Sequence, residues 1–113
     1  MLETRTGLAS YYHPSLDGLI TASGVPYDDN ALMAAHPTYP LGTVARVTNL
    51  ENGTSVEVEI TDRGPTQENV DEGVIIDLSG AAAKTLGMIE AGRVRVKVEV
   101  IYWGANEYTS AGS

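Results

Sequence analysis

Apolar and polar residues alternate most regularly in two parts of the chain. Over residues 54–61, Val56, Val58 and Ile60 alternate with glutamates, and over residues 93–102 four valines alternate with charged side chains. A period of two directs successive side chains to opposite faces of a strand. Both segments are therefore predicted to be β-strands with one face in a core and the other in solvent.

Three further strands follow from shorter patterns. Residues 43–50 precede Asn52-Gly53, a dipeptide that tolerates the positive φ values of a tight turn, so residues 43–61 are predicted to form a hairpin. Residues 7–13 are predicted to form a first strand. The continuous apolar run Val74-Ile75-Ile76 is typical of a strand buried on both faces.

Two short helices are predicted between these strands. Asp28 or Asp29 is placed to cap a helix over residues 31–35, which Pro37 would end. A second, alanine-rich helix is predicted to begin after Ser79. Evenly spaced short strands joined by glycine turns and two short helices indicate a small β-barrel.

Composition agrees with one small, mostly β domain. The 113 residues are enough for a single core, and 42% of them are apolar. Twelve glycines and five prolines indicate many tight turns. The chain has no Phe, one Trp and six Tyr, so aliphatic residues must build the core and the tyrosines are available for surfaces and clefts.

The charge of the chain excludes several classes of function. A formal net charge of −8 disfavours nucleic acids and anionic membranes as partners, because both require a basic surface. A neutral or weakly charged substrate such as a glycan fits better.

The chain has no cysteine, its two histidines lie 23 positions apart, and it carries no phosphate-binding glycine motif. No metal and no cofactor are therefore expected.

Asp62 is the first candidate for chemistry. It directly follows an apolar strand and precedes Arg63-Gly64-Pro65, so a rigid strand end would aim its carboxylate into a cleft. The alternative is a turn aspartate that pairs with Arg63 or accepts loop amides, and spacing alone favours it. His36 is a candidate partner for a substrate or a carboxylate, but a buried histidine bonded to the backbone is the more frequent case.

Other polar residues carry weaker signals. Asp77 is expected to cap the helix that begins after Ser79, a structural role. Tyr11, Tyr12 and Tyr27 lie near loops of small residues and are candidates for stacking on sugar rings in a groove. For any one of these tyrosines, ordinary packing with the hydroxyl at the surface is the alternative.

An ordered set of short motifs resembles the rare lipoprotein A (RlpA) family. The match runs from about Gly7 to Tyr102. Its blocks are Gly7-Leu8-Ala9-Ser10-Tyr11-Tyr12, Thr21-Ala22-Ser23-Gly24, Ala34-Ala35-His36-Pro37-Thr38-Tyr39-Pro40-Leu41-Gly42-Thr43, Arg46-Val47-Thr48-Asn49-Leu50, Asn52-Gly53, Thr61-Asp62-Arg63-Gly64-Pro65, Ile75-Ile76-Asp77-Leu78-Ser79, Ala81-Ala82 and Leu86-Gly87-Met88. No single block is decisive, but the set in this order is specific.

The resemblance implies a six-stranded double-psi β-barrel, related to the barwin and expansin barrels, at residues 7–103. Residues 1–6 would then be an N-terminal extension and residues 104–113 a flexible tail. It also implies an exported bacterial cell-envelope protein, in the periplasm or at the cell surface, that is often a lipoprotein. No signal peptide is visible at the start, and a longer native protein of which this chain is one domain stays open as an alternative.

The activity implied by the resemblance is that of a lytic transglycosylase. Such enzymes cleave MurNAc–GlcNAc bonds of peptidoglycan strands that lack stem peptides and leave 1,6-anhydroMurNAc ends. In the family pattern Asp62 matches the catalytic aspartate, a general acid/base, and His36 matches a histidine associated with the active site. Four residues are predicted to bind the substrate: Tyr12, Thr21, Ser23 and Arg63. A monomer is expected, with cell-division or envelope proteins as further partners.

Two positions depart from the family pattern. Val25 stands where the family has a glutamate implicated in activity, and Val74 where it has an arginine. A lytic transglycosylase uses the C6 hydroxyl of the sugar as its nucleophile, so one carboxyl group can serve as acid and then as base. Asp62 alone would then suffice at a reduced rate. Three residues are candidates for a second carboxylate: Asp28, Asp29 and Glu68.

Two alternative functions remain open at this point. Val25 favours a non-catalytic module that binds cell-wall glycan or loosens the wall, as expansin-type barrels do. The other alternative is a barrel that serves a protein partner in the division machinery. Binding to such a partner without affinity for glycan would indicate it.

Overall fold

Six strands close into a barrel in the computed structural model, which describes residues 2–106. The strands are β1 (Glu3–Tyr11), β2 (Met33–Ala35), β3 (Val44–Asn49), β4 (Ser55–Asp62), β5 (Val74–Leu78) and β6 (Val94–Tyr102). Around the barrel they follow the order β1-β5-β2-β4-β3-β6. Two short helices, α1 (Gln67–Asp71) and α2 (Gly80–Thr85), and a 3-10 turn (Pro14–Leu16) lie between them. The predicted mostly β, six-stranded class is confirmed.

The alternating valines form the core of the barrel. The four valines of β6 are at most 4% exposed, and burying each such side chain stabilises the fold by about 1.5–3 kcal/mol. The predicted hairpin is confirmed, because β3 and β4 pair antiparallel with Val47 opposite Val56. Its turn is wider than two residues: the Asn49 N–H donates to the Thr54 carbonyl (2.8 Å), and Gly53 has a φ of 77°.

The helix predicted over residues 31–35 is wrong. Met33–Ala35 is instead the buried strand β2, which pairs parallel to β4 and antiparallel to β5. The helical propensity of an alanine-rich segment is worth a few tenths of a kcal/mol per residue, and the backbone hydrogen bonds that close the barrel override it. The helix α1 was not predicted; the Thr66 hydroxyl caps it by accepting the Asn69 N–H.

Both ends of the barrel reach further than the patterns indicated. β1 begins at Glu3, and residues 3–6 pair with β6, so they belong to the barrel rather than to an extension. At the other end, the Gly104 N–H donates to the Thr43 hydroxyl and the Asn106 N–H to the Leu41 carbonyl, both at 3.0 Å. Most of the predicted tail, residues 107–113, lies outside the described residues. No helix within residues 2–106 has the length and apolarity needed to cross a bilayer.

Candidate active site

Two aspartates flank the short strand β2 at one end of the barrel. Ala35 of β2 pairs with Asp62 of β4 on one side and with Asp77 of β5 on the other. Two inter-strand spacings therefore separate the aspartate backbones, about 10 Å. A Cβ on Gly64 would lie 3.3 Å from Oδ2 of Asp77 and 3.4 Å from the Cβ of Ala35. The turn after β4 thus packs closely against Ala35 of β2 and the carboxyl group of Asp77.

Gly64 is expected to be intolerant of a side chain. It has a φ of 149°, which L residues rarely adopt, and its Cβ would press on Asp77. Gly64→Ala should lower the free energy of unfolding by about 2–4 kcal/mol in urea denaturation. Gly53→Ala is the matched control, because Gly53 also has a positive φ but its Cβ would contact nothing within 4 Å. Equal losses for the two variants would contradict the proposed close contact.

Three donors hold the carboxylate of Asp62. Oδ1 accepts the backbone N–H of Ala22 and of Arg63, each at 2.9 Å, and Oδ2 accepts the Tyr12 hydroxyl at 2.5 Å. The carboxylate thus accepts loop amides, as one interpretation of the turn predicted. Among residues 2–106, Asp62 takes part in none of the ion pairs. The predicted pairing with the Arg63 guanidinium does not form.

The guanidinium of Arg63 instead fixes the loop that carries His36. Its Nη1 donates to the carbonyls of His36 (3.2 Å) and Tyr39 (2.6 Å). The His36 ring is buried and stacks on Tyr39, and its Nδ1 accepts the N–H groups of Thr38 and Tyr39. Burial lowers the pKa of His36 to about 4, so the imidazole is neutral near pH 7. Its backbone N–H donates to the Asp62 carbonyl at 3.2 Å.

Asp77 does not cap α2, contrary to the sequence prediction. It lies inside β5, and its Oδ1 accepts the hydroxyl of Ser10 on the neighbouring strand β1. Burial raises the pKa of Asp77, the bond from Ser10 and the charge of Arg93 partly offset this rise, and the charge of Asp62 adds a smaller increase. The cap of α2 is Ser79, whose hydroxyl accepts the Ala82 N–H. A helix cap and a strand-end carboxylate look alike in a sequence because both precede the helix.

The three carboxylates considered as partners of Asp62 lie outside the strands β4, β2 and β5. Asp29 accepts the Gly80 N–H at 3.2 Å and so holds the start of α2. Asp28 is exposed beside it, and Glu68 is exposed in the first turn of α1. The carboxyl group on the strand beyond β2 is that of Asp77, and Asp29 is linked to Asp62 only through the stacked rings of Tyr27 and Tyr12. Within residues 2–106, no three His, Asp or Glu side chains cluster as metal ligands would.

The loop before β2 shapes the site through its backbone. Thr21 and Ser23 are 6% and 5% exposed, and their hydroxyls lie 2.8 Å apart. Thr21 also donates to the Val25 carbonyl at 2.6 Å. These buried bonds fold the loop so that the Ala22 N–H reaches Asp62. Both hydroxyls were predicted to bind the substrate; in the structure they are engaged within the loop.

Tyr12 connects Asp62 to an adjacent cavity. Its ring stacks on Tyr27 with centroids 4.3 Å apart, and its hydroxyl donates to Asp62. Burial, and next the hydrogen bond to Asp62, raise the pKa of Tyr12, so the hydroxyl stays protonated and remains a donor. A cavity of about 420 Å³ has Tyr11 and Tyr12 in its wall. Of the predicted substrate-binding residues, Tyr12 thus lies at the aspartate itself.

Comparison with known proteins identifies the family. The profile of the family described as lytic transglycolase matches residues 4–98. The endolytic peptidoglycan transglycosylase RlpA of Campylobacter jejuni is 45% identical over 104 residues, which are 92% of this chain and 36% of that protein. The chain belongs to the RlpA family. The Pseudomonas aeruginosa RlpA of the same description is 50% identical over 95 residues, 84% of this chain and 27% of that protein.

This RlpA-family chain thus spans about a third of the length of those relatives. Solved structures share its fold. The Streptomyces papain inhibitor has a TM-score of 0.68 at 26% identity, over 88% of this chain and 94% of the inhibitor. The apo expansin of Clavibacter michiganensis has a TM-score of 0.67 at 24% identity, over 91% of this chain and 52% of the expansin. Together with the strand order, they confirm the predicted double-psi β-barrel.

Proposed function

We propose that this domain is a lytic transglycosylase that cleaves MurNAc–GlcNAc bonds in peptidoglycan strands lacking stem peptides and leaves 1,6-anhydroMurNAc ends. One observation carries the proposal: two carboxyl groups at the same barrel end differ in their hydrogen-bond donors and in the direction that the surroundings push the proton of Asp77. Asp62 accepts three donors, whereas the half-buried Asp77 accepts the Ser10 hydroxyl and has a raised pKa. Pairs of carboxyl groups in contrasting environments are the arrangement that divides acid from base. Membership of the RlpA family supports the choice of substrate.

The proposed reaction divides general acid/base work between the two aspartates. Asp77, the carboxyl group whose pKa is raised, protonates the glycosidic oxygen as its bond to C1 breaks. The C6 hydroxyl of the same sugar attacks C1 and closes the anhydro ring, and its proton passes to Asp62. Exchange with solvent then restores both groups. Because the nucleophile belongs to the substrate, no water has to be positioned, and the high effective concentration lowers the barrier.

Other residues orient Asp62 rather than react. Tyr12 and the Ala22 N–H each bind one oxygen of the Asp62 carboxylate. These two hydrogen bonds hold the proposed base in one orientation. His36 is a positioning residue in this scheme: its backbone N–H bonds the Asp62 carbonyl, and its neutral ring orders the loop that Arg63 also holds. We propose that the substrate contacts Tyr12 and the exposed Arg63.

The direct test is product analysis. The domain, at high concentration, is incubated with glycan strands from which an amidase has removed the stem peptides, and the products are analysed by mass spectrometry. Fragments ending in 1,6-anhydroMurNAc are expected, and the same strands without protein provide the blank. Absence of anhydro products over the blank would overturn the proposed activity. Products with ordinary reducing ends would indicate hydrolysis instead.

A second function, a non-catalytic module that binds or loosens cell-wall glycan, is favoured by Val25. This residue replaces a carboxylate in the loop that holds Asp62 through Ala22. Retention of the domain on purified sacculi, unchanged by Asp62→Asn and without any product, would support this second function. The two functions therefore differ in a single measurable quantity, product release.

Val25→Glu is expected to raise the rate of product release about tenfold, because a further carboxylate beside the site can assist proton transfer. Val25 is partly exposed, so the side chain has room for a charge. Val25→Gln, of the same shape but uncharged, is the matched control and should leave the rate near that of the parent. An equal effect of both substitutions would contradict a role for the charge.

The proposal also places the domain in the bacterial cell envelope, where peptidoglycan lies. A lipid anchor on the full protein and partners among division proteins belong to the same proposal, supported by the family alone. Cell fractionation of the full-length protein, with recovery in the membrane fraction as the expected result, would test the anchor.

A further inference from the structure

The cavity beside Tyr12 is the second feature of this barrel end. Its volume of about 420 Å³ lies within the range of small-molecule sites. The residues that line it are Tyr11, Tyr12, His13, Pro14, Asp29, Gly80, Lys84 and Ile89. Because the Tyr12 hydroxyl also binds Asp62, one side chain links the cavity to the proposed catalytic carboxylate. A chain that crosses Asp62 can therefore place a neighbouring group in this cavity.

The apolar wall of the cavity is rigid. The Tyr11 hydroxyl donates to the Ile89 carbonyl at 2.7 Å, and the Tyr12 ring is stacked on Tyr27. Aromatic rings with fixed faces and polar rims suit the apolar faces of sugar rings. Such a wall would hold a saccharide but would not distinguish one sugar from another.

The charges in the cavity are unequally available. Oδ1 of Asp29 already accepts the Tyr27 hydroxyl (2.6 Å) and the Gly80 N–H (3.2 Å). Lys84, at the end of α2, is exposed and takes part in no ion pair formed within residues 2–106. Its ammonium group can therefore meet a ligand. The net charge of −8 repels an anionic substrate at long range. A local cation at the binding site is needed to offset this repulsion.

We propose that Lys84 recognises the lactyl carboxylate of a MurNAc residue bound in this cavity and so selects strands that lack stem peptides. The inference rests on the proposed function, which supplies the substrate class. On a stripped strand every lactyl group ends in a free carboxylate. Where a stem peptide is attached, the same carbon is an amide without charge, and the peptide occupies the space next to it. Lys84 is thus a specificity-determining residue.

Binding to two strand preparations tests this assignment. One preparation has free lactyl carboxylates, and the other has them converted to methylamides with carbodiimide and methylamine. Asp62→Asn serves as the background so that strands stay uncut. Adding Lys84→Gln should weaken binding of the charged strands about threefold to tenfold and leave binding of the amidated strands unchanged. Lys84→Arg should restore most of the affinity, and added salt should shrink the difference.

Lys97→Gln is the control, since Lys97 lies on β6 beside Glu99 and outside the cavity. It should bind both preparations as the background does. The inference is overturned if Lys84→Gln leaves the affinity for charged strands unchanged, or if it weakens binding of charged and amidated strands equally. It is also overturned if the Asp62→Asn background binds neither preparation. Failure of the unsubstituted domain to release anhydro products, with the charge-specific binding retained, would overturn the proposed chemistry and leave the Lys84 assignment standing.

Discussion

Asp62→Asn is expected to lower the rate of anhydro-product release at least about a thousandfold, because it removes the proposed base. The amide has nearly the shape of the carboxylate. Its oxygen can still accept the N–H groups of Ala22 and Arg63, and its NH₂ can turn towards the Tyr12 oxygen. The fold should therefore persist, and the loss should appear in the rate rather than in the unfolding midpoint. Mass spectrometry of digested strands and thermal unfolding measure the two separately.

Asp71→Asn is the matched control for this variant. Asp71 is exposed at the end of α1, and within residues 2–106 its side chain accepts a hydrogen bond from Gln67 alone. The control should release product at the parental rate. Retention of more than about a tenth of the activity by Asp62→Asn would remove Asp62 from the reaction and favour another base.

Asp77→Asn is expected to reduce product release about a hundredfold to a thousandfold, because it removes the proposed acid. The substitution also changes how the rate depends on pH. The acid form of Asp77 is the active one, so the rate should fall as the pH rises through its raised pKa. Asp77→Asn should lose this fall together with most of the rate. Rates measured on the same stripped strands across pH provide the test.

Ser10→Ala separates the role of Asp77 from a purely structural one. The Ser10 hydroxyl donates to Asp77 and lowers its pKa, so its removal should raise that pKa and carry the fall in rate to higher pH. Ser55→Ala, which removes an exposed hydroxyl paired with Thr48, should leave the profile where it was. A profile that does not move in Ser10→Ala would exclude Asp77 as the titrating acid.

The strands that could be predicted are those in which apolar and polar residues alternate within the strand itself. The valine alternation in β6 and the hairpin of β3 and β4 report directly which side chains are buried. β2 has no such signal, because three consecutive buried residues of small or flexible type match a helix equally well. Its identity as a strand depends on pairing with β4 and β5, which come later in the chain.

The candidate site shows the same division. Asp62 was a candidate because it follows a clear strand, and the family motif raised it above the alternative of a turn aspartate. The role proposed for Asp77 had no signal in the sequence, because its relation to Asp62 passes through Ala35 and becomes visible only when three strands are aligned. The burial of Thr21 and Ser23 was equally invisible, since hydroxyl residues in a small-residue loop carry no burial signal.

The placement of the two aspartates on strands has a consequence for how this domain can diverge. Asp62 and Asp77 are separated by the width of β2, so their spacing is inherited with the barrel and cannot drift without breaking backbone pairing. Position 25 lies instead in a loop whose fold is held by the neighbouring hydroxyls of Thr21 and Ser23. A carboxylate there can be gained or lost while the barrel stays intact. In the proposed reaction, a loop substitution can therefore change the rate while the two aspartates on the strands keep their spacing.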